Sequence, residues 1–399
     1  MRLLRGPCGS WLGVSGIYLL ALVVVVSAFV LLVMGWHHAS GLRKDLLRVG
    51  EREPRPGVWV RGQGRGSITL EGHAPRQDIG HPGTLGLSWD DGYGQVGEVT
   101  KVEGLRVTRE FRLVEGEAPP VCREISPHDC PEAHLDPWAY PAHPGDAGLQ
   151  YEETTYRSPL GPMSAWLIPA PGARRWAIHV HGLAAGRREA IRLLPALHRA
   201  GLTSMVVDYR NDPGAPSDPS GRYRFGLEEW ADIEAAVSDV LARATVDVVL
   251  IGYSTGGSHI MSWLERSDLK GSVAGVVLDS PNLILAETVR HASPGSAAWL
   301  GLPVGQLAAE MGMWIADRRW GVDWEATNYV SRAREVLTMP TLVFHGTSDH
   351  TVPISVSRQL EARAPTVTLV ETQAAGHVMS WNADPTRYER LLRDFLAGL

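Results

Sequence analysis

Lysine is nearly missing from this chain. Of 38 basic residues in 399, only Lys44, Lys101 and Lys270 are lysines, an imbalance that reads as genome composition rather than a use of guanidinium groups. A net charge of −6 leaves no basic footprint, so nucleic acid is excluded as an expected partner. Cysteine is scarce too. Cys8, Cys122 and Cys130 form no zinc-type spacing with any histidine, and His37, His38, His128, His134 and His143 read as surface groups. No internal repeat is visible. No metal-ligand cluster appears, and neither a metal nor a cofactor is expected.

What is present begins with one apolar run. Residues 17–34 carry no charge and only Tyr18 and Ser27 as polar interruptions, between Gly16 and Gly35. The length just suffices to cross a bilayer as a helix. A cleaved signal peptide is the alternative, but no A-x-A site follows, and Trp36, His37 and His38 are poor cleavage residues. Cys8 precedes the run, so it is not a lipobox cysteine. The expectation is an uncleaved single-pass anchor over residues 17–35 after a tail of residues 1–16, with the lipid bilayer as its partner. Arg2 and Arg5 before the span nearly balance Arg43, Lys44 and Arg48 after it, so charge barely orients it. Cys122 and Cys130 could pair in an oxidising compartment or be unrelated thiols. The reading taken is an extracytoplasmic bulk of the chain.

A chain of this length exceeds one typical domain. Residues 36–56 are polar and read as a stalk. Residues 57–116 alternate in short segments separated by Gly-rich turns such as Asp91-Gly92 and Glu103-Gly104, the pattern of a small antiparallel β unit. It could cover a site, bind a partner, or seal a sheet edge. Residues 117–148, rich in proline, histidine and acids, read as a linker. From 149 to 399 strands and helices alternate, which implies a mostly parallel sheet covered by helices on both faces, an α/β fold. Ligands bind beyond the carboxyl ends of such strands.

The chemistry-bearing motifs fall at those ends. The apolar strand 247–251 runs into Gly252, Tyr253, Ser254, Thr255 and Gly256. Glycines two before and two after the serine let a sharp turn close, so Ser254 projects as a nucleophile at a helix N-terminus. Strand 340–345 breaks into Gly346, Thr347, Ser348 and Asp349. Strand 367–370 precedes Ala374, Ala375, Gly376 and His377. Serine, acid and histidine thus follow in order. His377 would take the Ser254 proton, and Asp349 would hold the imidazole tautomer. Asp279, ending strand 273–278, is the rival acid. Strand 176–180 leads into His181, Gly182 and Leu183, which puts the Leu183 and Thr255 amides forward as oxyanion donors. His181 reads as a residue shaping that turn.

With these motifs, the stretch from about residue 151 onward resembles α/β-hydrolase-fold serine hydrolases. It is similar to their esterase, dienelactone-hydrolase-like and prolyl-oligopeptidase-like branches. Val206 to Asp212 resemble the family's strand after its first helix, and Glu229 to Ile233 its helix before the nucleophile strand. The resemblance implies hydrolysis of an acyl bond through an acyl-enzyme, and leaves the acyl and leaving groups open. A small or lipidic ester is the expected substrate; protein partners are unknown. Residues 282–332, with Met311, Trp299, Trp314, Trp320 and Trp324, are expected to form a cap with an apolar acyl pocket, or else a helix pair packed on the sheet. Alternatives to an ester hydrolase are a serine peptidase of the prolyl-oligopeptidase type and a non-catalytic envelope protein binding through this fold.

Overall fold

The computed structural model describes residues 11–50, 57–72, 78–123, 130–292 and 304–399. Arg2, Arg5 and Cys8 of the tail, the end of the stalk (51–56), His128, and Trp299 of the expected cap lie outside the described residues. The described parts divide into two compact units, Met1–Arg48 with Ala292–Asp323, and Val49–His291 with Trp324–Leu399.

The first unit is built on α1, Trp11–Leu42, a 32-residue helix. At ~1.5 Å per residue it is longer than the ~30 Å hydrocarbon thickness of a bilayer. The large apolar side chains Tyr18, Val25, Phe29 and Val33 are all exposed. It is a helix long and apolar enough to cross a membrane. The same unit holds α6, Val304–Trp320, beside α1. Met311 stands where a side chain on Gly35 of α1 would be. No sequence rule pairs positions so far apart in the chain.

The second unit contains two sheets. The smaller is antiparallel and made of β1 (Val58–Gly64), β2 (Ser67–Gly72), β3 (Leu85–Trp89), β4 (Gly92–Glu103), β5 (Arg106–Gly116) and β6 (His134–Asp136). Its order is β1-β2-β5-β4-β3-β6. The amide and carbonyl of Val58 exchange hydrogen bonds with those of Ala133 (2.7 and 2.9 Å), a single bridge between the start of β1 and the residue before β6. Alternation puts Ile68, Leu70, Leu85, Leu87, Val96 and Val107 into one core. The strand β6 comes from the stretch read as a linker; three residues with a histidine and an aspartate carry too little pattern to reveal a strand. Cys122 and Cys130 form a disulfide.

The larger sheet has eight strands: β7 (Glu152–Ser158), β8 (Gly161–Ile168), β9 (Arg175–Val180), β10 (Thr203–Val207), β11 (Asp247–Tyr253), β12 (Val273–Asp279), β13 (Thr341–Gly346) and β14 (Val367–Thr372). In the order β14-β13-β12-β11-β9-β10-β8-β7, the six strands β9 to β14 pair parallel, while β8 and β7 add antiparallel pairs at one edge. In β11, Val248 and Leu250 face the helix α3 (Trp230–Arg243), whereas Val249, Ile251 and Tyr253 face α2 (Leu194–Arg199) and α10 (Pro385–Ala397). A strand buried on both faces must be apolar throughout. Each such aliphatic side chain contributes roughly 1.5–3 kcal/mol by leaving water. The remaining helices are α4 (Thr255–Arg266), α5 (Leu285–Ala292), α7 (Ala333–Val336), α8 (Ser355–Arg363) and α9 (Ser380–Ala383). This is the mostly parallel α/β architecture with helices on both faces that the alternation of strands and helices implied, preceded in the chain by an apolar helix and a small antiparallel unit.

Candidate active site

β11 ends at Tyr253 and α4 starts at Thr255, leaving Ser254 as the entire turn. Its φ of 49° lies in the left-handed region, a strained conformation for a residue with a side chain. The neighbours allow it: a Cβ on Gly256 would stand 2.0 Å from the Val180 carbonyl oxygen, and one on Gly252 2.9 Å from the Gly257 nitrogen. The Ser254 amide donates to the Asp279 carbonyl (3.0 Å), and its carbonyl accepts from Gly257 and Asn282 (3.1 and 3.0 Å). These bonds offset the strain and aim the hydroxyl off the end of the sheet.

Two further loops reach the same point. His377 Nε2 lies 2.9 Å from Ser254 Oγ, and His377 Nδ1 lies 2.7 Å from Asp349 Oδ2. With Nδ1–H donating to the carboxylate, Nε2 carries the lone pair and faces the hydroxyl. Asp349 is buried, and its other oxygen accepts the Thr351 and Val352 amides (2.8 and 2.9 Å). Burial alone would raise its pKa. Hydrogen bonds from His345 and His377, then their charges, outweigh burial and hold it well below the usual carboxylate range. The rival, Asp279, is not hydrogen-bonded to His377; burial lifts its carboxyl to about 6, against the charges of Arg192 and the nearby histidines. Its contribution to this site is the backbone carbonyl that receives the Ser254 amide.

Of the two amides expected as oxyanion donors, that of Thr255 directly follows the serine, and that of Leu183 belongs to the turn after β9. A Cβ on Gly182 would lie 3.1 Å from Ser254 Cβ, which sets the 181–183 turn against the turn that holds Ser254. The Gly182 amide is taken by the buried Glu189 carboxylate (2.7 Å). The Leu183 and Thr255 amides donate to no other group among the described residues. The turn is braced by His181, whose Nε2 meets Asp212 Oδ2 at 2.8 Å and whose Nδ1 meets the Gly182 carbonyl at 2.8 Å. Burial opposes its charge, but Asp212 and that carbonyl prevail and push its pKa up to about 9. His181, Asp208 and Asp212 have ligand-type atoms close enough to share a cation. All three are already engaged, since Arg187 Nε also sits 3.1 Å from Asp208 and the Tyr209 amide 2.8 Å from Asp212. The cluster reads as an ion-pair network.

Sequence reasoning missed how the histidine loop is held. The amide before His377, that of Gly376, donates to His81 Nε2 (2.9 Å), and the amide after it, that of Val378, donates to Ser280 Oγ (3.1 Å). His81 sits between β2 and β3 of the small sheet, with Nδ1 2.8 Å from the Pro82 carbonyl. That loop is in turn gathered by Arg109, fully buried, whose guanidinium donates to the carbonyls of Ile79, His81, Gly83 and Gly97. The burial of Arg109 explains those bonds, because such a charge must be fully hydrogen-bonded, but burial is not written in the sequence.

As chemistry, the arrangement offers a hydroxyl, a base within hydrogen-bond reach, and an anion fixing that base. Residues 177–391 match the family model described as "Alpha/beta hydrolase family". Among curated proteins, the chain is 26% identical to the "Uncharacterized protein YfhR" of Salmonella typhimurium over 254 residues, which are 59% of this chain and 77% of that protein. Among solved structures, the Pyrococcus furiosus esterase Pf2001 is similar at a TM-score of 0.50 and 19% identity, covering 64% of this chain and 95% of its own. A second crystal form of Pf2001 gives 0.51 and 18%, covering 64% and 94%. At such identities the structural likeness speaks for the fold.

Proposed function

The chain belongs to the alpha/beta hydrolase family, and we propose that it is a membrane-anchored serine hydrolase that cleaves carboxylic esters through an acyl-enzyme. The observation that carries this reading is the unbroken relay Ser254–His377–Asp349, with links of 2.9 and 2.7 Å. In the proposed cycle His377 Nε2 takes the hydroxyl proton as Ser254 Oγ bonds to the ester carbonyl carbon. The carbonyl electrons move onto its oxygen, which the Leu183 and Thr255 amides stabilise. The imidazolium, steadied by ionised Asp349, returns the proton to the departing alkoxide. Water then repeats the sequence on the acyl-serine, releasing the acid and restoring Ser254. No step calls for a metal or cofactor.

An ester is favoured as substrate because Pf2001, which shares this fold, is itself an esterase. Anchoring is supported by the exposed apolar length of α1: a water-facing surface of Val, Leu and Phe over this many turns is unstable, whereas a bilayer matches it. An extracytoplasmic hydrolase domain is supported by the Cys122–Cys130 disulfide, since such bonds persist in oxidising compartments.

A fluorophosphonate probe tests the chemistry on the full-length, detergent-solubilised protein. The expected result is labelling that is absent in Ser254→Ala, with turnover of p-nitrophenyl esters. A folded protein that takes no label would reverse the reading in favour of a non-catalytic binding module. Faster turnover of peptidyl amides than of any ester would instead favour the peptidase variant.

A further inference from the structure

The helices α1 and α6 run parallel. Gly35 faces Met311, and Gly312 faces His38 and Ala39, with a Cβ on Gly312 only 2.8 Å from His38 Cβ. Eight residues beyond Gly35, the Arg43 guanidinium lies 5.9 Å over the Trp320 ring, nine residues beyond Met311. The contacts advance together along both chains, so the first turns of α6 travel beside the apolar part of α1. The bare backbone at Gly35 and Gly312 lets the helices touch. To one side of that seam the larger side chains leave a groove of about 500 Å³, within the ~300–1,000 Å³ of small-molecule sites.

Its lining changes in order along its length. Phe29, Leu32 and Val33 form a hydrocarbon wall, the Trp314 indole follows, and Arg318 and Arg319 line the groove toward the end of α6. Trp36 and Trp314 are 54% and 52% exposed, and most of the wall is open as well. Arg318 stacks 5.7 Å over Trp314 and, among the described residues, reaches no carboxylate closer than the exposed Asp317 at 3.9 Å. Hydrocarbon, then indole, then cation is the order met from the acyl chains to the headgroups of one leaflet. Arg43, just past the end of α1, and Arg318 and Arg319, in the last turn of α6, lie at the level of headgroup phosphates when hydrocarbon surrounds residues 17–35.

We propose that this groove binds an anionic phospholipid, with one acyl chain along Phe29, Leu32 and Val33 and the phosphate at Arg318 and Arg319. The proposal rests on the membrane-anchor reading above. It makes α6 a second lipid-facing element of the chain and gives the exposed indole and the two guanidiniums a shared ligand. A zwitterionic lipid fits the same wall but brings a trimethylammonium group whose charge offsets the attraction of the arginines.

The test uses the full-length protein in detergent, stripped of lipid and titrated with dioleoyl phosphatidylglycerol, dioleoyl phosphatidylcholine or inorganic phosphate, with bound lipid counted by native mass spectrometry. Phosphatidylglycerol is expected to bind roughly tenfold more tightly than phosphatidylcholine, with no saturable uptake of phosphate. R318Q/R319Q should bring the two lipids level. Val33→Trp, which fills the wall and leaves both arginines in place, should weaken both lipids. Fluorophosphonate labelling at the parent rate verifies that each variant is folded. Equal binding of the two lipids by the parent, or a preference that survives R318Q/R319Q, overturns the proposal; tight uptake of phosphate alone replaces it with a free-anion site. Alkaline carbonate extraction separates the two levels. A protein released from membranes refutes the anchor and the groove together, whereas one that stays integral without lipid preference refutes the groove only.

Discussion

The two sheets of the second unit earn their cores in different ways, and the difference decides what each can do. The eight-stranded sheet is covered on both faces, so a strand such as β11 is apolar along its run and can deliver a polar group only at its end. Ser254, Asp349 and His377 all sit past such ends. The six-stranded sheet buries one face, with alternating residues turned outward. It contributes through a loop, by setting His81 against the Gly376 amide. The first sheet supplies the groups of the proposed relay and the second restrains one of the loops that carry them.

The largest expected effects lie on the first sheet. Ser254→Ala or His377→Ala should cost about 10⁴–10⁶-fold in kcat on any ester that the parent turns over, because the relay acts as a unit. Asp349→Asn should cost about 10³–10⁴-fold, since the amide cannot hold the required tautomer. Asp279→Asn should cost far less, because its carboxylate makes no hydrogen bond to His377. Steady-state kinetics on all four variants checks the order; a folded D279N that is slower than D349N would exchange the roles of the two acids.

That much of the site was legible because its signals are local. A glycine-flanked serine after an apolar run, and an acid and a histidine each just past a strand, are written in short stretches of chain. The parallel sheet was legible for the same reason, since two-sided burial makes strands such as 248–251 continuously apolar. The restraints were not legible. His81 and Gly376 are 295 residues apart in the chain, and the amide that links them has no side-chain signature. The packing of Met311 on Gly35 is likewise a contact between positions that look unremarkable alone. The strand β6 is three residues long, below the length at which alternation can be seen.

The part played by the small sheet is tested at His81. Its Nδ1–H donates to the Pro82 carbonyl, so its Nε2 accepts the Gly376 N–H. His81→Phe removes the acceptor, and the resulting play in the 376–378 loop should lower kcat about tenfold with KM nearly unchanged, as small misplacements of a catalytic group do. His81→Gln keeps an oxygen near the position of Nε2 and should restore most of the rate. A general loss of structure would move the melting temperature and KM as well, and glutamine would not rescue it. Equal kcat for phenylalanine, glutamine and the parent would leave the small sheet with no role in placing His377.

The smallest expected effect concerns alkali and again divides the two sheets. Each has a buried cation: Arg109 in the small one, bound by carbonyls, and His181 in the large one, paired with Asp212. Arginine stays charged across the working range, so the small sheet should be indifferent. For His181 the folded pKa is raised, to about 9, above the ~6.5 of an unfolded histidine. Its stabilisation is therefore complete below ~6.5 and is lost as pH rises through about 9. Asp208 and Asp279, lifted by burial to about 6, titrate below this window and do not obscure it. The melting temperature of the full chain should fall between pH 6.5 and 9, by roughly 2–4 °C per kcal/mol lost for a domain of this size. In Asp212→Asn the imidazole loses its anionic partner while the amide oxygen can still accept the Tyr209 N–H, so the fall over the same interval should flatten whatever the variant's absolute stability. Parallel melting curves for the parent and Asp212→Asn from pH 6.5 to 9 would mean that His181 braces the oxyanion turn as a neutral ring, through its bond to the Gly182 carbonyl alone.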